Sequence, residues 1–151
     1  MVKGKDDDPD IVLHSAGWNY LQVPKSEDCN YAITGYESQV VTLQMAIGDS
    51  CQAEPGVMMY LTSGVNSAVS CDPMTSCGRC CSGEDCCVVN FTNTGAGGNK
   101  GYVALTPNFP TAKVIPVDLS SPHVGGKLIA QQGAFMASYG DVQIATSFDF
   151  K

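Results

Sequence analysis

Basic residues are scarce in this sequence, where Lys and Arg together number 8 and Asp and Glu together number 15. Arg79 is the only arginine. The resulting formal charge of −7 repels phosphate backbones and anionic membrane surfaces, so we expect no nucleic-acid partner. Aspartates crowd residues 1–10, which we predict to be a solvated, disordered acidic tail ahead of a single β domain over residues 11–151.

Long apolar runs are also lacking. No stretch approaches the roughly 18 apolar residues that a membrane span needs. Residues 1–10 contain neither the apolar core of a secretory signal nor the arginines of a mitochondrial presequence, so we predict a cytoplasmic protein without a membrane span. In a reducing cytosol the cysteines are expected to be free thiols, and 151 residues with 44% hydrophobic content can bury a core without disulfides.

Helical periodicity is the third absence. No window repeats apolar residues with a helical period over more than two turns, and the nearest candidate, residues 64–70, is too short to form a helix alone. Short runs rich in Val, Ile, Thr, Tyr and Phe instead recur about every ten residues, separated by Gly, Pro, Asn and Asp. This pattern predicts an all-β domain, built as a rolled double sheet or a β-sandwich.

The clearest predicted strand covers residues 37–45, whose odd-numbered apolar side chains should face a core. Residues 50–54 and 58–62 are predicted to form a hairpin, because the Pro-Gly pair between them suits a type II turn. The glycine-rich run after residue 92 is predicted to be a hairpin loop. The other predicted strands are residues 87–92, 101–106, 113–119, 127–131, 134–139 and 142–148.

Cysteine is concentrated in one segment, because six of the eight lie between Cys71 and Cys87. Cys77-Gly-Arg-Cys80 has a spacing that zinc sites and dithiol exchange motifs use. Neighbouring cysteines on a strand point to opposite faces, so at most one of Cys86 and Cys87 can reach a given ion. We predict reduced thiols that pack this corner and no cofactor, and we keep zinc binding or a thiol redox response as alternatives. The candidate metal ligands are Cys77, Cys80, Cys81, Cys86 and Cys87.

Motifs for catalysis are missing as well. The chain has no Gly-x-Ser-x-Gly elbow, and its two histidines lie near serines as chance neighbours. Its carboxylates fall in predicted turns or next to strand ends, where surface charge is expected. We therefore predict that the protein is not an enzyme and has no catalytic residue.

Several segments resemble a known family in order along the chain. Ala53-Glu54-Pro55-Gly56-Val-Met-Met-Tyr60 resembles the Ala-Glu-Pro-Gly-x-Met-x-Tyr stretch of the altered inheritance of mitochondria (mitochondrial biogenesis) family, which has bacterial and archaeal relatives of unknown function. The other similar segments are Ser82-Gly83-Glu84, Gly101-Tyr-Val-Ala-Leu-Thr-Pro107, Ile115-Pro-Val-Asp-Leu119 and Gln132-Gly133-Ala134-Phe135-Met-Ala137.

The resemblance implies a rolled β fold like that of the tryptophan RNA-binding attenuation protein, related to double-stranded β-helices. It implies no established activity, cofactor or catalytic residue, and it makes a mitochondrial location the alternative to the cytoplasm. Family members continue beyond the segment that resembles residues 132–137, so either this chain is truncated or a second copy completes the fold. We expect a non-enzymatic domain that binds protein partners or itself as a homo-oligomer. The remaining alternative is a small-ligand binder that uses the interior of the β roll.

Overall fold

The computed structural model describes residues 30–71, 86–98, 100–109 and 111–145. This part of the chain contains eight strands and no helix, which confirms the predicted all-β class. The strands are β1 (Tyr31–Thr34), β2 (Val40–Ala46), β3 (Ser50–Ala53), β4 (Met58–Leu61), β5 (Val65–Ser70), β6 (Val88–Asn93), β7 (Lys100–Leu105) and β8 (Ala137–Tyr139).

The strands form two four-stranded antiparallel sheets. The first sheet has the order β1-β2-β7-β4, and the second sheet has the order β5-β6-β3-β8. Each ladder is antiparallel. From the strand order, β1 and β4 are the edges of the first described sheet, and β5 and β8 are the edges of the second. The more specific likeness to the tryptophan RNA-binding attenuation protein stays a prediction.

Side chains from both sheets form one apolar core. In β2, Val41, Leu43 and Met45 are 6%, 8% and 0% exposed, as the alternation in the sequence predicts. Burying a side chain of this size contributes about 1.5–3 kcal/mol each to stability. The largest fully buried apolar side chains are Phe91, Ile33, Met45, Leu105, Val57 and Val103.

The turn between β3 and β4 connects the two sheets and does not close a hairpin. Gly56 has a φ of 87°, as the predicted type II turn requires. However, β3 pairs with β6 on one side and β8 on the other, whereas β4 pairs with β7. The predicted hairpin of residues 50–54 with residues 58–62 is therefore wrong, because both edges of β3 already bind other strands.

The segment that came nearest to a helical pattern, residues 64–70, contains β5. This strand pairs with β6 from Val65 opposite Asn93 to Ser70 opposite Val88. Its small and polar residues concealed the strand, because β propensity depends on the neighbours that a strand packs against. The neighbouring strand β6 supplies the hydrogen bonds that fix its conformation.

The C-terminal part of the described chain forms fewer strands than predicted. Only half of the predicted run over residues 134–139 is a strand, namely β8. The predicted strands over residues 113–119 and 127–131 are not strands, and the side chains of Ile115 and Ile129 are 79% and 71% exposed. A strand-like sequence forms a strand only beside a pairing partner, and no described strand pairs with these two segments.

The predicted single domain over residues 11–151 is described only in part, and other predictions also fall partly or wholly outside the described residues. The predicted strand over residues 142–148 is described only as far as residue 145, and that part is not a strand. The predicted acidic tail over residues 1–10 lies outside the described residues altogether.

The short strand β8 is attached through a side-chain contact as well as its ladder to β3. The Tyr139 hydroxyl donates a hydrogen bond to Asp49 Oδ2 in the turn between β2 and β3. The backbone N–H of Ala46 donates to the same oxygen at 2.7 Å. Burial, together with the hydrogen bond to Asp49, raises the pKa of Tyr139 to about 12. The phenol therefore remains a neutral donor at physiological pH.

Candidate functional site at the disulfide end of β5 and β6

The cysteine-rich connection leaves one strand and returns to its direct neighbour. The antiparallel register of β5 and β6 ends with Ser70 opposite Val88. The next pair in this register is Cys71 and Cys87, and a disulfide joins them. Their Cα atoms are 4.4 Å apart, a separation that a disulfide spans without backbone movement. The disulfide therefore closes the base of the connection between the two strands.

The prediction that these cysteines are reduced thiols is wrong for three of them. Cys71 and Cys87 form the disulfide described above, and Cys86 is disulfide-bonded as well. For Cys71 and Cys87 the physical reason is the strand register, which brings residues that are 16 positions apart in the sequence directly opposite each other.

The metal-site hypothesis divides between described and undescribed residues. Cys77, Cys80 and Cys81 lie outside the described residues. Cys86 and Cys87 are disulfide-bonded, and a disulfide sulfur is not the thiolate that binds zinc. Within the described ranges, no group of three or more His, Cys, Asp or Glu side chains could hold a metal ion. Zinc binding by some of these five cysteines stays an untested alternative.

The outer half of β5 is held mainly by its ladder to β6. Val65, at the start of the strand, is 4% exposed and belongs to the core. The next four residues are exposed, and Val69 is 68% exposed. Among the described strands, β6 is the only neighbour of β5 in the sheet. Hydrophobic burial therefore contributes little to the attachment of β5 beyond its first residue.

The start of β5 is attached more firmly than its end. The Gly64 carbonyl accepts hydrogen bonds from Thr94, through the backbone N–H at 2.7 Å and Oγ1 at 2.9 Å. A Cβ atom at Gly97 would lie 1.9 Å from the carbonyl oxygen of Ser63, so the two loops touch backbone to backbone and leave room only for glycine. The glycine-rich run is a loop that joins β6 to β7 and fixes one end of β5. The predicted hairpin is wrong, because β6 lies in the second sheet and β7 in the first, so the loop crosses between the sheets.

Among the described cysteines, Cys51 is the free thiol. It lies on β3 opposite Phe91 and is fully buried in the core. Burial raises the pKa of the Cys51 thiol to about 12. A thiol that is neutral and covered is a poor nucleophile, so Cys51 serves the core as a small apolar side chain.

A second surface feature is the edge strand β4. Met58, Met59 and Tyr60 are 46%, 55% and 46% exposed, and of the described strands only β7 pairs with theirs. The ladder shifts register between Met58 and Tyr60. Consecutive exposed apolar residues on a sheet edge are a common feature of interaction surfaces. Three consecutive apolar residues without a charge are a sequence signal for an interaction surface. This signal was missed because the predicted hairpin gave the strand a pairing partner.

Two features at the disulfide were also missed. The spacing of Val65 and Val69 gave a weak indication of a strand that was missed. The strand over residues 87–92 was predicted, but its pairing with residues 65–70 was not. Had both strands been predicted as neighbours, their register would have placed Cys71 opposite Cys87.

Two four-stranded antiparallel sheets around one apolar core define an all-β sandwich-like domain. The sequence matches the family described as Mitochondrial biogenesis AIM24 over residues 31–151. The chain therefore belongs to this family, and the resemblance seen in the sequence is confirmed.

Comparison with solved structures gives a weaker likeness. A crystal structure of protein SPYM3_0169 from Streptococcus pyogenes is similar over 61% of this chain and 38% of that chain, with 18% sequence identity and a TM-score of 0.37. This chain thus spans well under half the length of that protein. No curated protein matches the sequence. Over the described residues, the chain has no helix with the length and apolar character to cross a membrane.

Proposed function

We propose that this chain is a non-enzymatic β domain without a cofactor that acts by binding protein partners, including a second copy of itself. Membership of the Mitochondrial biogenesis AIM24 family suggests a role related to mitochondrial biogenesis. The observation that carries the proposal is the exposed apolar edge of the first sheet, formed by Met58, Met59 and Tyr60.

The chemistry of this edge favours contact with another polypeptide. An edge strand presents backbone N–H and C=O groups on its open side, and those groups can pair with another chain. Exposed methionines adapt their shape to a partner, and tyrosine adds contact area with a polar end. Strand β4 contains no charged residue that would oppose pairing.

Electrostatic repulsion between copies is small over the described part of the chain. The charges there are few and nearly balanced, so they oppose association only weakly at physiological ionic strength. They are Lys100, Lys113, Lys127, Glu37, Asp49, Glu54, Asp118 and Asp141.

Light scattering after size-exclusion chromatography tests self-association. We expect the wild-type chain to exceed the mass of a monomer at tens of micromolar, and Met59→Lys to lower that mass because a charge on an edge strand opposes pairing. The matched control is Val69→Lys, which adds the same charge to an exposed apolar position on the edge of the other sheet. A wild-type chain that stays monomeric, or equal effects of the two substitutions, would contradict association through β4.

The small-ligand alternative has less support. Large side chains such as Phe91, Ile33 and Met45 are fully buried in the core that both sheets form. A ligand in the interior would have to displace them, which a closely packed core resists.

The cysteines also bear on the compartment that we propose for the protein. A disulfide between Cys71 and Cys87 supports an oxidising environment over the reducing cytoplasm that the sequence predicted. Alkylation of thiols in intact cells before lysis, followed by peptide mapping without reductant, tests this proposal. We expect the linked Cys71–Cys87 peptide. If both cysteines carried the alkyl label, the cytoplasmic prediction would stand instead.

A further inference from the structure

We propose that the Cys71–Cys87 disulfide is a redox-sensitive clamp that holds the outer half of β5 on β6. In this proposal, reduction releases β5 from its Ser70 end and opens the edge of β6 that β5 covers. The proposal concerns the second sheet and does not depend on self-association through β4.

The first argument is the difference between the two ends of β5. At its start, Val65 is buried in the core and the Gly64 carbonyl accepts two hydrogen bonds from Thr94. At its end, Ser70 has the ladder to Val88 and the covalent link one residue further on. A strand attached in this way opens from its weak end, so the disulfide is located where opening would begin.

The second argument is the small contribution of packing to the outer half of β5. Residues 66–69 are exposed, and the one large apolar side chain among them, Val69, is 68% exposed. Two strands held by their ladder alone are only marginally stable in water. The cross-link compensates for this weakness, because it removes much of the chain entropy that opening would gain.

The third argument is that β6 remains in place when β5 is released. On its other side, β6 pairs with β3 from Val89 opposite Ala53 to Thr92 opposite Ser50. Phe91 of β6 is fully buried in the core. Loss of the outer half of β5 therefore leaves an ordered strand with open N–H and C=O groups, which is the type of edge that accepts another strand.

The chemical step is thiol–disulfide exchange with a protein or small-molecule dithiol. A thiolate of the dithiol attacks Sγ of Cys71, which is exposed, while Cys87 is half-buried. The S–S bond breaks, a mixed disulfide forms at Cys71, and Cys87 leaves as a thiolate that takes up a proton. The second thiol of the dithiol then displaces Cys71. Two electrons pass to the protein, and the dithiol becomes a disulfide.

Amide hydrogen exchange measured by mass spectrometry tests the clamp. The oxidised protein is compared with the protein treated with dithiothreitol and with the double variant Cys71→Ser, Cys87→Ser. We expect amides of residues 66–70 to exchange roughly tenfold to a hundredfold faster in both altered forms. Amides of β2 provide the internal reference and should be unchanged.

The variant Cys86→Ser is the matched control. It removes the neighbouring disulfide and leaves Cys71 and Cys87 linked, which peptide mapping without reductant verifies. We expect wild-type protection of residues 66–70 in this variant. Equal loss of protection in Cys86→Ser and in the double variant would overturn the proposal, because the effect would then not be specific to the clamp.

Reversibility distinguishes a switch from a structural cross-link. Oxidised glutathione added after removal of dithiothreitol should restore the Cys71–Cys87 link and the slow exchange of residues 66–70. The proposal fails if dithiothreitol leaves this disulfide intact in the folded protein, or if residues 66–70 stay protected after the link is broken. Neither result bears on the mass measurements that test association through β4.

Discussion

Asn93 on β6 donates a hydrogen bond from Nδ2 to the backbone carbonyl of Met45 on β2, at 2.9 Å, and so connects the two sheets through the core. Both residues are buried, with exposures of 1% and 0%. The Asn93 Oδ1 atom accepts a hydrogen bond from the N–H of Gly95, also at 2.9 Å. This side chain thus fixes the spacing of the sheets and the start of the loop after β6 at once.

Replacement of Asn93 should destabilise the domain. Asn93→Val removes both hydrogen bonds from a buried position, so we expect a loss of about 1–3 kcal/mol in the free energy of unfolding. Urea denaturation, monitored by far-ultraviolet circular dichroism, measures the free energy of unfolding. The control is Thr92→Val on the same strand, where the side chain is exposed and a change within about 0.5 kcal/mol is expected. Equal losses in the two variants would show that the sheet connection contributes nothing.

The close approach of β7 to Asn93 requires glycine at position 101. A Cβ atom at Gly101 would lie 2.4 Å from Cγ2 of Val65 and 3.0 Å from Cγ of Asn93. We expect Gly101→Ala to cost about 1–3 kcal/mol, because the added methyl overpacks a filled core.

A double-mutant cycle checks the cause of that cost. Val65→Ala removes the methyl group that the new Cβ would meet, so Gly101→Ala should cost less in the Val65→Ala background, by at least about 0.5 kcal/mol. Additive losses in the cycle would mean that the clash with Val65 is not the reason for the glycine.

The Cys51 thiol should be inert in the folded protein. It is buried with a pKa raised to about 12, so iodoacetamide at about pH 8 should label it only after unfolding. Mass spectrometry of the labelled protein with and without denaturant measures this difference. Rapid labelling of Cys51 in the native protein would show that the core opens at this position.

Stability should fall at alkaline pH. The pKa of Cys51 rises from 9.0 to about 12 on folding, so the folded state keeps a proton that the unfolded state loses. The free energy of unfolding is therefore unaffected below about pH 9 and decreases as the pH rises from there towards 12. Tyr139, whose pKa also rises to about 12, contributes in the same direction. Urea midpoints for the wild type and Cys51→Ala should converge as the pH increases, and parallel curves would contradict this assignment.

Zinc should be absent from the oxidised protein. Cys86 and Cys87 are disulfide-bonded, and two of the five candidate ligands are thus blocked in the oxidised protein. We expect less than about a tenth of an equivalent of zinc in protein purified without chelator or reductant. Zinc at one equivalent in protein whose Cys71–Cys87 link is intact would place the site on the other cysteines alone.

The parts of the fold that were predicted correctly have strong local patterns. Strand β2 alternates apolar and polar side chains, and its odd-numbered residues face the core as expected. The strand after Cys87 and the loop character of the glycine-rich run after it were also predicted, because β-branched residues and glycines define them locally. Each of these features depends on neighbours within a few residues. The pairing of the two strands that the loop joins was not predicted correctly, because β6 and β7 lie in different sheets.

The wrong predictions concern pairing between distant segments. The turn at Gly56 has the expected conformation, but the same turn can close a hairpin or cross from one sheet to another. The apolar runs around Ile115 and Ile129 have strand-like composition but no strand beside them among the described residues. In both places the error was in the pairing that was expected of the local sequence.

Composition and periodicity by themselves predicted the all-β class and the inward face of β2, and the order of short segments along the chain carried the family resemblance. Only the tertiary structure decided that β3 and β4 lie in different sheets and that Cys71 lies opposite Cys87. The physical reason is that the hydrogen bonds of a sheet join residues far apart in the sequence, so their register depends on packing of the whole core and not on any one segment.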